Sequence, residues 1–149
     1  MSVEKIEGLR DLEKAFAGID KAVTRDSVAR RVLKKNGQPL ADKMNDLAPV
    51  GAGENGNLNK SYAVSTKLNK RQRKFAKKGK SDVEVYVGTS DPAGLQQEFG
   101  NKNHDAQPHV RPAWDGGKNE ALDGIVKDTG IELIAAVKRQ AKRKLKALK

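Results

Sequence analysis

Apolar residues recur at helical spacing from the start of the chain: Ile6, Leu9, Leu12, Phe16, Ile19 and Val23 follow at intervals of 3, 3, 4, 3 and 4. Those intervals put six side chains on one stripe, so the pattern predicts an amphipathic helix whose far end Gly18 weakens. A second helix is predicted from about Ser27, with Val28, Val32 and Leu33 inward. Asn36-Gly37 reads as its C-cap, and Pro39 suits the first turn of a following helix carrying Leu40, Met44 and Leu47. Two helices and one kinked helix both satisfy this stretch. Ala48-Pro49 closes it, because the residue before a proline is pushed out of the α region.

Val50 to Asn57, with Gly51, Gly53 and Gly56, reads as a loop. Leu58 to Thr66 is a predicted strand with Leu58, Tyr62 and Val64 on one face. Asp82 to Gly88 is a second, where Val83, Val85 and Val87 alternate with Asp82, Glu84 and Tyr86. An antiparallel pair would leave the intervening stretch as a long connection, a kind of loop that is more often functional or disordered. Ser90 to Gly100 reads as a short helix with Leu95 and Phe99 four apart. Asn101 to Pro108 is polar and irregular.

From Arg111 a long helical pattern appears, interrupted at Gly116-Gly117. Leu122, Val126, Leu133, Val137, Ala141, Leu145 and Leu148 give it one apolar stripe flanked by Ile125 and Ile134. A helix over 119–147 would be roughly 43 Å long, and Gly124 and Gly130 could bend it or admit a neighbouring backbone. The expected fold class is therefore α+β: N-terminal helices, a small antiparallel sheet with a long interstrand loop, and a long C-terminal helix. A length of 149 residues predicts a single domain over 1–149.

Charge changes this picture most. The chain has 30 Lys plus Arg against 19 Asp plus Glu, a net charge of +11. The segment 67–80 holds eight basic residues and no acid: Lys67, Lys70, Arg71, Arg73, Lys74, Lys77, Lys78 and Lys80. The segment 138–149 holds seven more and again no acid. Half of the cations lie in these two segments, which leaves a body with 15 basic and 19 acidic residues, a net of −4. Each run reads as a solvated face or as a contact with phosphate or an acidic partner. Phe75 is the only aromatic in either run, so a stacking single-strand binder is not indicated. The charges at the C-terminal end also suit the negative end of a helix dipole.

Catalytic chemistry finds little footing. With no cysteine, disulfides, thiolate metal sites and a cysteine nucleophile are excluded, which fits a reducing compartment. His104, Asp105 and His109 form a His-Asp-x-x-x-His series without a further ligand, and the alternative is a surface loop with two polar aromatics. Ser61 and Ser65 lack a nucleophile elbow. Glu84, Glu98 and Asp115 are isolated carboxylates. Gly51 to Gly56 leads into a strand rather than a helix, and Lys60-Ser61 falls at the wrong spacing for a phosphate loop. Neither an enzyme nor a cofactor is expected. No run of 18 apolar residues predicts a membrane span, and Met1 to Gly8, with Glu4 and Glu7, does not read as a signal peptide.

Four local patterns, in order, carry a resemblance. They are Gly8-Leu9 with Leu12; Leu47-Ala48-Pro49-Val50; Gly56-Asn57-Leu58-x-x-Ser61; and Val85-x-Val87-Gly88 followed by Glu98-Phe99-Gly100 and Gln107-Pro108-x-x-Arg111-Pro112-Ala113. This series, over about residues 8–148, resembles the small tail-component proteins of long-tailed phages, the tail-completion or head–tail joining (neck) group. Asn55 stands where that family usually has threonine, and His109 where it usually has a large apolar residue, which bears on local packing. In physical terms, Pro49 and the glycines would fix a turn delivering Leu58 into a strand. Gly100 would take a left-handed position behind Phe99 anchored in the core. Pro108 and Pro112 would stiffen the start of the long helix. Arg111 would bridge to a carboxylate such as Glu98, within the fold or across a subunit boundary, or stand as an ordinary surface charge.

The resemblance implies a structural virion protein that assembles with itself into a ring, a hexamer, at the head-proximal end of the tail. Such a ring would complete the tail and join it to the head, with DNA passing through its channel. Its neighbours would be neck, tail-terminator or tail-tube proteins, its place the virion, and the host cytoplasm during assembly. The basic loop 67–80 would lie at an inner rim or against a neighbouring ring. The alternative is a non-specific nucleic-acid-binding protein using the same two basic segments.

Overall fold

The computed structural model describes residues 22–52, 56–76 and 83–147. The helix expected over Ile6 to Val23, the Gly8-Leu9 pattern, Gly53, Asn55, Asp82, Leu148, Lys149, and Lys77, Lys78 and Lys80 of the basic segment lie outside the described residues or their described side chains, as does the side chain of Leu145.

Helix α1 (Ala22–Leu47) runs without a break through Gly37 and Pro39. Asn36-Gly37 is thus no C-cap, and the two-helix alternative falls. A proline inside a helix forfeits one backbone bond, and here tertiary packing overrides that local signal. Leu40, Ala41 and Met44 are buried beyond the proline. Gly37 packs directly on the sheet: a Cβ there would stand 3.2 Å from Val87 Cγ2 and 3.4 Å from Val64 Cγ1. The helix ends at the expected place, with the Ala48 amide donating to the Met44 carbonyl at 3.0 Å just before Pro49.

The sheet is smaller than expected. Strand β1 (Ala63–Ser65) pairs antiparallel with β2 (Tyr86–Gly88), with Val64 opposite Val87. Leu58–Lys60, expected to be strand, forms a 3-10 turn. Leu58 and Tyr62 are both buried, a spacing of four that a pleat would also give, so their burial does not separate turn from strand. Val83 and Val85 precede the ladder without joining it. The interstrand connection is also not all loop, because Lys70–Phe75 forms a short helix, α2. Helix α3 (Ala93–Phe99) follows the sheet and ends, as expected, at Gly100 with φ +72°.

Helix α4 (Val110–Ala147) is 38 residues long, about 57 Å at the ordinary helical rise. It begins one residue before Arg111, where the helical pattern sets in, and passes through Gly116-Gly117 uninterrupted, so it is longer than the 119–147 span expected beyond that glycine pair. It lies antiparallel against α1. Val28 and Val32 meet Ala136, Ile125 and Leu133 at one end of the seam. Met44 and Ala48 meet Ala113, Leu58 and Tyr62 at the other.

The expected stripe from Leu122 to Leu148 faces α1 only in part: Leu133 and the flanking Ile125 pack against Val28 and Val32. Ile134 and Val137 are more than half exposed, whereas Ala113, Thr129 and Ala136 are buried. Small residues let the backbones approach closely. A Cβ on Gly117 would lie 2.7 Å from Leu40 Cδ2, and one on Gly124 would lie 2.0 Å from Asn36 Oδ1. Charged pairs flank the seam, cations from α1 and carboxylates from α4. Arg31 meets Glu132 at 2.8 Å, Lys35 meets Asp128 at 3.0 Å and Lys43 meets Glu120 at 3.1 Å. Asn36 Nδ2 donates to Asp128 at 3.0 Å and to the Val32 carbonyl at 3.0 Å. The hydrogen bonds from Lys35 and Asn36 hold the Asp128 carboxyl below its ordinary range. Such exposed pairs add little stability singly, but a row of them selects one helix direction and register.

Candidate functional site: a carboxylate joint beside a basic helix

The start of α4 is held by a side chain from another element. Glu98, on α3, is 4% exposed. Its Oε2 accepts from the amides of His109 at 2.7 Å and Val110 at 2.8 Å, and its Oε1 from the Arg111 amide at 3.2 Å and Arg111 Nε at 3.0 Å. The first turn of a helix presents unpaired amides and a positive dipole end, so one carboxylate here satisfies three donors and opposes the field. Burial by itself pushes the Glu98 carboxyl up. The bonds from His109, Val110 and Arg111 outweigh it and hold the group at about 2. The expected Glu98–Arg111 bridge thus exists within the fold.

His109 is not a surface residue; it is fully buried. Its Nδ1 lies 3.0 Å from the Gln107 carbonyl and its Nε2 lies 2.6 Å from the Tyr62 hydroxyl. A carbonyl only accepts, so Nδ1 carries the hydrogen, and in the neutral ring Nε2 accepts from Tyr62. The two rings meet edge-on at 5.4 Å. Burial, with the nearby Glu98 and Asp91 carboxylates, pushes the Tyr62 hydroxyl up to about 12. Asn45 fixes Tyr62 from α1, accepting from its amide at 2.9 Å and donating to its carbonyl at 3.0 Å. A polar side chain thus occupies the expected apolar position because Tyr62 and Gln107 satisfy both nitrogens. His104 is separate, its Nδ1 placed 2.9 Å from the Asp105 carbonyl, and no three metal-ligating side chains converge among the described residues.

The remaining motif residues divide by role. Leu58 is fully buried, and its amide donates to the Ala52 carbonyl at 2.8 Å. Gly56, like Gly51, has positive φ and makes the turn before it. Gly100 also lies tight against the chain, where a Cβ would come 2.8 Å from the Ala106 amide. Pro112 sits in the first turn of α4, where its missing amide hydrogen costs nothing, and Pro108 precedes the helix. Phe99 is corrected: it is 64% exposed and does not anchor the core. Gly94 and Glu98 are the buried positions of α3, and a Cβ on Gly94 would stand 2.7 Å from Thr89 Cγ2.

The basic helix α2 is placed from its ends. Asn69 Oδ1 accepts from the Gln72 amide at 2.8 Å while Gln72 Oε1 accepts from the Asn69 amide at 3.0 Å, a capping box. Gln72 Nε2 then donates to the Thr89 carbonyl at 3.0 Å, tethering α2 beside the sheet. No residue of α2 is buried. Lys67, Lys70, Arg71, Arg73 and Lys74 are exposed and make no ion pair with a carboxylate among the described residues. Between α2 and α3 opens a cavity of about 600 Å³, with Phe75, Leu95, Phe99 and Arg111 on its walls. The Arg111 guanidinium lies 5.2 Å from the centre of the Phe99 ring. At the far end of α4, Arg139 approaches Glu132 at 3.5 Å, and Lys138, Lys142, Arg143 and Lys146 are exposed. Among the described residues no helix is long and apolar enough to cross a membrane.

Comparison with known proteins gives a family match. A family described as HK97-gp10-like, a candidate tail component of bacteriophages, matches residues 10–100, which end at the glycine closing α3. No curated protein and no solved structure matches the chain. The matched span takes in the Leu47–Val50, Gly56–Ser61 and Glu98–Gly100 motifs and covers more than half of the sequence. The chain belongs to the HK97-gp10-like family of bacteriophage tail components.

Proposed function

We propose that the protein completes the head-proximal end of a phage tail and joins it to the head, assembled with itself into a ring, a hexamer. The observation that carries this reading is family membership together with an open basic helix. Four cations of α2 stand on a segment that adds nothing to the core and is tethered to it by one side chain. A cationic segment so held serves contact, and in a tail component the contacts are other tail or neck proteins and the DNA that passes between head and tail. We assign the contact of α2 to an acidic surface of a neighbouring neck, tail-terminator or tail-tube protein. A channel lined by unpaired lysine and arginine would retard the DNA it must pass. The protein acts as a part of the virion, assembled in the host cytoplasm, and its residues hold and position rather than catalyse.

Reversal of the charges at Lys70, Arg71, Arg73 and Lys74 to glutamate tests this reading. Separated heads and tails are expected, with the purified subunit retaining its melting curve. Normal infectious particles overturn it. Tight binding of duplex DNA by the free subunit near physiological salt would favour the nucleic-acid-binding alternative instead.

A further inference from the structure

We infer that the groove between α2 and α3 is a docking site for a segment of a partner protein that carries an aromatic or branched aliphatic side chain flanked by carboxylates. This deepens the assembly reading above and rests on it. Phe75 from α2 and Leu95 and Phe99 from α3 are 82%, 69% and 64% exposed and line one cavity of about 600 Å³. None of the three belongs to either core cluster. Contiguous exposed apolar surface of this kind marks interaction sites, and the volume lies in the range that takes a compact ligand or anchoring side chains.

The architecture of α2 supports the same conclusion. A helix of six residues is not stable through its own hydrogen bonds. Its capping box and the bond from Gln72 to Thr89 hold Phe75 at the groove without burying it.

Charge selects the occupant. The carboxylates already at the groove are engaged: Asp91 accepts from the Ala93 amide at 2.9 Å, and Glu98 caps α4. Arg71 lies on the wall, and Lys70, Arg73 and Lys74 share its short helix without a carboxylate partner among the described residues. Incoming acids therefore find unpaired cations, while an apolar side chain between them finds Phe75, Leu95 and Phe99. Duplex DNA offers phosphates for the first but nothing for the second.

The test is selection of a random peptide library on the full chain, with counter-selection on the Phe75→Ser, Leu95→Ser double variant. Expected is a consensus with one large apolar anchor between Asp or Glu residues. Binding of a consensus peptide, read by fluorescence anisotropy, should weaken at least tenfold in Leu95→Ser and in Arg71→Glu, and should weaken with salt. These side chains are exposed, so unchanged thermal melts will show that the variants fold.

Failure to enrich peptides, a consensus without acids, or equal binding to the double variant overturns the proposal. So does single-stranded oligothymidylate that binds with the same dependence on Phe75 and Leu95, or concentration-dependent self-association that Phe75→Ser abolishes. If peptides bind the groove while charge-reversed phages assemble normally, the tail-joining reading falls and the groove stands. If joining fails in those phages but the library yields nothing, the groove alone falls.

Discussion

Replacing Glu98 by glutamine keeps the shape of the side chain and removes its charge. The amide then turns an NH2 group toward amides that need acceptors, at the start of a 38-residue helix. The fall of the Glu98 carboxyl from an ordinary value of 4.5 to about 2 corresponds to about 3 kcal/mol, at about 1.4 kcal/mol for each tenfold in proton affinity. The Arg111 side chain is 63% exposed, so its part is screened, which leaves about 2–3 kcal/mol for the carboxylate. Because the folded value lies below the unfolded one, this contribution is complete above about pH 4.5 and is lost as the pH falls toward 2. Urea unfolding of both proteins across this window measures it. At neutral pH the variant should be about 2–3 kcal/mol less stable, and the two proteins should converge as Glu98 of the native chain takes up its proton. A difference that stays constant with pH, or one well under about 1 kcal/mol at neutrality, would refute the carboxylate cap.

Gly124→Ala should lower stability by about 1–3 kcal/mol, since its Cβ would fall 2.0 Å from Asn36 Oδ1. Gly116→Ala, whose Cβ meets nothing within 4 Å, should instead raise stability by up to about 1 kcal/mol; thermal melts that rank the two otherwise contradict the seam. Tyr62→Phe should cost about 1–2 kcal/mol by leaving His109 Nε2 without its partner. In spectrophotometric titration of the parent protein the Tyr62 phenolate should appear only near pH 12, and its appearance near 10 would count against burial of the hydroxyl. Asn69→Ala should speed hydrogen exchange at the Arg73 and Ala76 amides while leaving the global melt unchanged, because α2 is fastened at its cap and buries no residue.

The signals that held were short-range. Ala48-Pro49 stops α1, Gly100 takes the left-handed position, and the Glu98–Arg111 pair forms across only 13 residues. The α1–α4 seam is legible only in part, through Leu133 and Ile125, because much of its interior is built from Ala113, Gly117, Gly124 and Ala136. A search for large apolar residues passes over these positions and settles on Leu122, Ile134 and Val137, which stand partly or mostly in solvent. A glycine pair that reads as a break in isolation becomes a contact surface once a second helix lies against it. The Tyr62–His109 bond spans 47 residues, so its only sequence trace was a polar residue where an apolar one was expected. Leu58 and Tyr62 lie inside as their pattern implies, but a spacing of four is common to a strand face and to a turn followed by extended chain, so the pattern alone does not choose between them.

The distribution of charge follows from the same seam. A net charge of +11 on 149 residues would strain a compact state if the cations were spread evenly. Instead Glu120, Asp128 and Glu132 of α4 each face a cation of α1, so the longest interface in the described fold is close to neutral. Glu98 is committed to the start of α4 and Asp91 to the start of α3. Among the described residues the carboxylates at the groove beside α2 are therefore engaged elsewhere, and positive charge collects on a helix that buries no residue and on the last turns of α4. Mutual repulsion there acts on segments that bury little, so it costs the fold little, and the same cations stay free to meet an external carboxylate. Adding a local acid beside α2, for example at Ala76, should raise stability only marginally while lowering the affinity of α2 for acidic partners, because the two uses of its charge compete.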